Sequence, residues 1–252
     1  MDATFAMVLV GALLAGFVQG LSGFGFSMVA MSLWAWVLDP QLAAVLAVFG
    51  GMTGQMFAAL TVRRGFDLRT LAPFIAGGLA GIPLGLWLLP RLEPALFRAL
   101  VGGLLVVWCP LMLMAGKLPR LRFPSAGAAR MADGLAGVSG GLMGPLGGFT
   151  GALPTLWCTL RGFEKDRQRA VIQNFNLAML SLTMASYLAS GQVTRAMWPS
   201  LAVVAPALLL PAWLGTRLYL GISDLAFRRI VLSLLTASGV ALLGAALPRL
   251  LA

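Results

Sequence analysis

Histidine is absent from this 252-residue chain, acidic residues number eight, and charged residues of both signs make up only 10%. The missing histidine excludes Ser-His-Asp triads, HExxH metalloprotease chemistry and histidine proton relays together. The two cysteines, Cys109 and Cys158, sit singly in apolar sequence, which argues against both a disulfide framework and a metal site. A GxxxxGK(S/T) phosphate loop is also lacking, so nothing in the chain supports an ATP-driven mechanism. Asp39, Asp67, Asp133, Glu164, Asp166 and Asp224 stand at the edges of apolar runs or in loops, so a carboxylate proton relay of the usual kind is not visible. The start, Met1-Asp2-Ala3-Thr4, carries no basic leader, and the first apolar run is expected to stay in the membrane domain. No cofactor and no enzymatic activity are expected.

What remains is 60% hydrophobic, with a mean hydropathy of +0.92, and reads as an integral membrane protein. The net charge of +10 sits in short loops between apolar runs, where the positive-inside rule places it, so nucleic acid is not expected as a partner. Eight charge-free runs cover residues 3–38, 40–62, 70–90, 99–116, 134–160, 170–194, 196–216 and 230–248. Between the fourth and fifth, residues 117–130 are basic and broken by Pro119 and Pro124, as in a cytoplasmic linker. The expected division is a first membrane repeat over 1–116, the linker over 117–130 and a second repeat over 131–252.

The two halves share ordered landmarks. Gly16, Gly20, Leu21 and Gly23 align with Gly137, Gly141, Leu142 and Gly144, and Ala44, Val45, Gly65 and Pro73 with Ala170, Val171, Gly191 and Pro199. Leu84, Gly85, Leu88, Phe97, Arg98 and Val101 then align with Leu214, Gly215, Leu218, Phe227, Arg228 and Val231. Such order points to a duplication.

The run at 134–160 is long enough to enter a bilayer, yet it holds eight glycines, Pro145 and Pro154, so an unbroken helix is a poor reading. If the first run of each half crosses once, the 18 basic residues split evenly between the two sides. If it enters and returns, fourteen share one face and only Arg91, Arg98, Arg195 and Arg249 lie on the other, which is what a defined orientation looks like. The expected fold is an all-α integral membrane protein of two inverted-topology repeats. Each repeat is a glycine-rich broken hairpin segment plus three transmembrane helices. For residues 3–38, a hairpin and two complete helices satisfy the same parity.

Glycine lets backbone N–H groups approach a ligand, and a short helix starting there adds the positive end of its dipole, which suits an anion. Candidate contacts are Ser22, Gly23, Gly25 and Ser27 at the first cluster, with Ser139, Gly144, Gly147, Gly148 and Thr150 at the second. Amides in apolar runs, Gln55, Gln173 and Asn176, either bind substrate or tie helices together. Gly16-Gly20 and Gly137-Gly141 also fit small-xxx-small helix packing. Arg98 and Arg228 occupy equivalent positions, as interfacial snorkelling residues or as charges drawing anions inward. Trp34, Trp36, Trp87, Trp198 and Trp213 read as interface anchors.

The duplicated G-x-x-x-G-L-x-G clusters at Gly16–Gly23 and Gly137–Gly144, each followed by an Ala-Val run, the Gly65 or Gly191 loop and the Gly85 or Gly215 helix, resemble the sulfite exporter TauE/SafE family of bacterial membrane permeases. The resemblance implies a multi-pass protein of the bacterial inner membrane that transports sulfite, sulfoacetate or other small organosulfonates, often outward. It departs from the family at Phe24 and Phe26, which flank Gly25 where consecutive glycines are usual, so the second cluster is the expected principal surface. The partners implied are a small anion and the lipid bilayer, with a homo-oligomer left open. A passive anion channel and a non-transporting membrane scaffold are the alternatives.

Overall fold

The computed structural model describes residues 3–22, 25–61, 65–217 and 224–251, and among these every regular element is helical. The first half holds α1 (Ala3–Ser22), α2 (Phe26–Val37), α3 (Pro40–Thr61), α4 (Leu68–Leu88) and α5 (Pro94–Leu113). The second holds α6 (Ala126–Met143), α7 (Ala152–Leu160), α8 (Lys165–Ala189), α9 (Trp198–Arg217) and α10 (Asp224–Leu251). Among the described residues six helices are long and apolar enough to cross a membrane: α1, α3, α4, α5, α9 and α10. This is a multi-pass membrane protein. At 12 and 9 residues, α2 and α7 are too short to cross. The 25-residue α8 has the length but not the apolarity, because Lys165, Asp166, Arg167 and Arg169 begin it and Gln173, Asn174 and Asn176 interrupt it.

Helix starts follow local chemistry. Ser125 accepts the Ala128 N–H (3.1 Å) as N-cap of α6, so this helix begins inside the stretch read as linker. Asp67 caps α4, accepting from the hydroxyl and the N–H of Thr70, and these bonds hold its carboxyl below the ordinary carboxylate range. The first run is not two complete helices: α1 is of spanning length, and α2 runs back along it. Phe26 N–H bonds Gln19 Oε1 (3.2 Å), and Trp34 Nε1 donates to the Met7 carbonyl (3.1 Å). Trp34 is therefore fully buried, contrary to its reading as an anchor, because the absent side chain of Gly11 leaves its indole a slot against α1. Trp36, Trp87, Trp198 and Trp213 are exposed.

The second run turns back in the same way, and its bounding charges meet. Asp133, buried on α6, binds Arg161 Nε at 3.1 Å and accepts from Trp157 Nε1 at 2.7 Å. The Arg161 guanidinium also lies over Phe123 and Phe163. Removing one partner of a buried pair leaves the other charge uncompensated, so Asp133→Ala is expected to cost about 3 kcal/mol. Thermal melting in detergent checks this, and the double variant Asp133→Leu/Arg161→Leu should recover most of the loss.

The halves are interleaved. α1 packs along α9 while α6 packs along α4, and α3 meets α8 while α5 meets α10. The crossings are close because glycines line them: a Cβ at Gly137 or Gly141 would sit 2.1 Å from the carbonyl oxygen of Phe74 or Gly78. Gly16 and Gly20 meet the Leu208 and Ala212 backbone in the same manner. Gly85 likewise packs against the Leu142 backbone, and Gly215 against that of Phe17 and Leu21.

Candidate functional site

The turn between α6 and α7 begins as the helix ends at Gly144, whose N–H bonds the Gly140 carbonyl (3.0 Å). Gly147 and Gly148 then take φ values of 145° and 73°, which side chains disfavour, and reverse the chain within a few residues. Tyr187 donates its hydroxyl to the Pro145 carbonyl and pins the turn to α8. This turn abuts the start of α2. A Cβ on Gly148 would lie 2.5 Å from Ser27 Oγ, and one on Gly147 would lie 2.5 Å from Met31 Cε.

Where the two meet is a cavity offering about 50 Å³ to the centres of water-sized molecules. That is room for a few waters or one small polyatomic ion. Gln19 of α1, Gly25 to Met28 at the start of α2, and Gly51 and Gln55 of α3 line one part. Trp108 of α5, residues 148–152 with Thr155, and Ile172, Asn176 and Leu180 of α8 line the rest. Every residue named carries a neutral side chain or none. α2 and α7 both begin here behind glycine N-caps, Gly25 and Gly151, that provide no side-chain acceptor, so each presents the positive end of a helix dipole.

Hydrogen bonds order the polar wall. Thr150 Oγ1 donates to Asn176 Oδ1 (2.8 Å), leaving the Asn176 amide hydrogens for another acceptor. Trp108 Nε1 donates to the Ala152 carbonyl (2.6 Å). Gln19 is 4% exposed, and its Oε1 serves Phe26 N–H while its Nε2 has no partner among the described residues. Gln55 Oε1 is likewise buried and unsatisfied. Both glutamines line the cavity, and each keeps one buried amide atom without a partner among the described residues, which is costly.

The structure thus brings together Gly25, Ser27, Gln55, Gly148, Thr150 and Asn176 of the residues singled out in the sequence. Gly144 lies behind Thr150, and Gly147 against Met31 and Phe149. Ser139 donates to the Ala136 carbonyl of its own helix (2.7 Å), and Gln173 is buried on α8 without lining the cavity. Gly23 and the side chain of Ser22 lie outside the described residues. Arg98 binds the Ala35 and Trp36 carbonyls (2.9 and 3.2 Å) at the end of α2, where a cation complements the helix dipole. Arg228 donates to Met112 Sδ (3.6 Å), and neither arginine reaches the cavity. Gln19 and Trp108 are additions. Gln19 had the same signal as Gln55, an amide in a charge-free run, but lay inside a glycine pattern that reads as helix packing.

The family model described as Sulfite exporter TauE/SafE matches residues 8–242. The chain belongs to the TauE/SafE family. No curated protein and no solved structure matches it. TauE/SafE proteins are membrane permeases, and membership implies transport of sulfite-type anions. In this TauE/SafE chain the region matched takes in both glycine clusters and every residue that lines the cavity.

Proposed function

We propose that the protein is a secondary transporter, exporting sulfite and small organosulfonates across the bacterial inner membrane by alternating access, with the anion held between the two glycine-rich turns. The observation that carries this reading is the cavity itself. Two short helices, one from each half, begin at its wall, and neutral donors surround it. Irregular backbone at membrane depth is tolerated where it is buried in protein or lines a polar cavity, and discontinuous helices aim their N-termini at anions in transporters of this design.

The halves act as inverted-topology repeats, each a broken hairpin followed by three helices. The reciprocal pairing of α1 with α9 and α6 with α4 supports this, since a two-fold axis exchanging the halves exchanges those contacts. Such an axis allows one half to rock against the other around a fixed site.

Purified protein in liposomes tests the proposal. Flux of sulfite or a simple alkanesulfonate, concentrated against its gradient when an ion gradient is imposed, is the expected result. Downhill flux alone would make the protein a channel, and absence of flux for sulfite, sulfoacetate and alkanesulfonates under every imposed gradient would overturn the reading.

A further inference from the structure

We infer that the cavity takes singly charged oxyanions, hydrogensulfite and alkanesulfonates, and rejects doubly charged ones such as the sulfite dianion, sulfate and sulfoacetate. This rests on the proposed anion site and narrows it by charge. The positive potential available is limited: each helix start carries roughly half an elementary charge, so α2 and α7 together offer roughly one. Among the described residues no lysine or arginine lines the cavity: Arg98 binds the carbonyls ending α2, and Arg228 lies beside Met112, away from it. A monoanion is matched. A second charge would be buried without a partner, which is strongly unfavourable away from water.

The hydrogen-bonding groups agree. Gln19 Nε2 is a buried donor without an acceptor among the described residues, and an oxyanion oxygen supplies one. Gln55 Oε1 is a buried acceptor without a donor among the described residues. The S–OH of a protonated oxyanion, or a water carried with a sulfonate, satisfies it, whereas a dianion only adds to the negative potential there.

The same lining makes the inference testable by pH. None of the side chains lining the cavity titrates in the physiological range, so pH acts on binding at this wall through the ligand's own proton. Sulfite loses its second proton near neutrality, while methanesulfonate stays a monoanion and sulfate a dianion throughout. Apparent sulfite affinity should therefore fall about tenfold per pH unit above that second ionisation, with methanesulfonate unchanged.

The experiment is ligand-induced thermal stabilisation of the full chain in detergent, under anaerobic conditions, from mildly acidic to mildly alkaline pH. The expected result is stabilisation by methanesulfonate at every pH and by sulfite only on the acidic side, with none by sulfate or sulfoacetate. Gln19→Leu and, separately, Gln55→Leu should weaken the methanesulfonate effect at least tenfold in concentration. Either variant suffices if the other fails to fold, and the wild-type pH series needs neither. Stabilisation by sulfate equal to that by methanesulfonate, or a sulfite effect flat across pH, overturns the charge limit while leaving an anion site standing. No stabilisation by any of the four anions overturns the site, and the charge limit with it.

Discussion

Gly148→Val is expected to cut sulfite or methanesulfonate flux by roughly thirtyfold or more, the equivalent of about 2 kcal/mol of overpacking in a tight site. Gly148 lines the cavity at a φ of 73°, where a β-branched residue is strained before any contact is considered. Its Cβ would sit 2.5 Å from Ser27 Oγ and 3.2 Å from the Ala47 carbonyl, the group to which that hydroxyl itself bonds at 3.5 Å. The two methyls of valine would then compete for the space between the turns, the space assigned to the anion. Flux normalised to the amount of monodisperse protein is the measurement. Gly144→Ala provides the contrast: its φ of −55° suits alanine, and the atoms nearest its Cβ are the Thr150 methyl (3.0 Å), Thr183 Oγ1 (3.1 Å) and a carbonyl of its own helix (3.3 Å), all farther off than the 2.5 Å contact at Gly148. That variant should retain most activity. Wild-type flux in well-folded Gly148→Val would remove the cavity from the transport route.

The helices, and the gathering of Gly25, Ser27 and Gly148 at one cavity, were legible because both follow from what cannot be left bare in lipid. Charge-free runs must become helices, and glycines with proline inside one must break it. Polar residues needed partners, and Gln55, Thr150 and Asn176 met at one wall. What the pattern hid depends on distant pairing. Asp133 and Arg161 merely bound a run in the sequence. The return of α7 along α6 brings these ends together, so a residue read as an edge becomes half of a buried ion pair. Trp34 lies near a run end as interface anchors do, and only the slot left by Gly11 on a neighbouring helix explains its burial. Arg98 and Arg228 align in sequence but not in partners: one caps α2 and the other rests on a methionine sulfur. Alignment of the two positions in sequence did not dictate their contacts.

Gly141→Val is expected to destabilise the protein by about 3 kcal/mol or more, the upper part of the range for overpacking. The clash differs in kind from that at Gly148. Its Cβ would meet the carbonyl oxygen, carbonyl carbon and Cα of Gly78 at 2.1, 2.7 and 2.7 Å, all of them backbone, so no rotamer relieves it. Relief requires α4 and α6 to part by more than 1 Å. The crossing is continuous, with Gly77 against the Gly134 carbonyl, Gly81 against that of Val138 and Gly85 against that of Leu142 at Cβ distances of 1.9, 2.2 and 2.3 Å. A gap of about 0.5–1 Å forfeits a quarter to a half of each dispersion contact, and here the loss would run along the whole interface. In a membrane this packing carries the association, because lipid provides no hydrophobic drive between helices. Gly103 of α5 gives the opposite sign: among the described residues no atom beyond its chain neighbours and its own helix backbone lies within 4 Å of its Cβ, so Gly103→Ala should stabilise by about 0.5–1 kcal/mol through helix propensity alone. Thermal melting of both variants in one detergent measures the difference, and equal melting temperatures would show that α4 and α6 are not packed backbone to backbone.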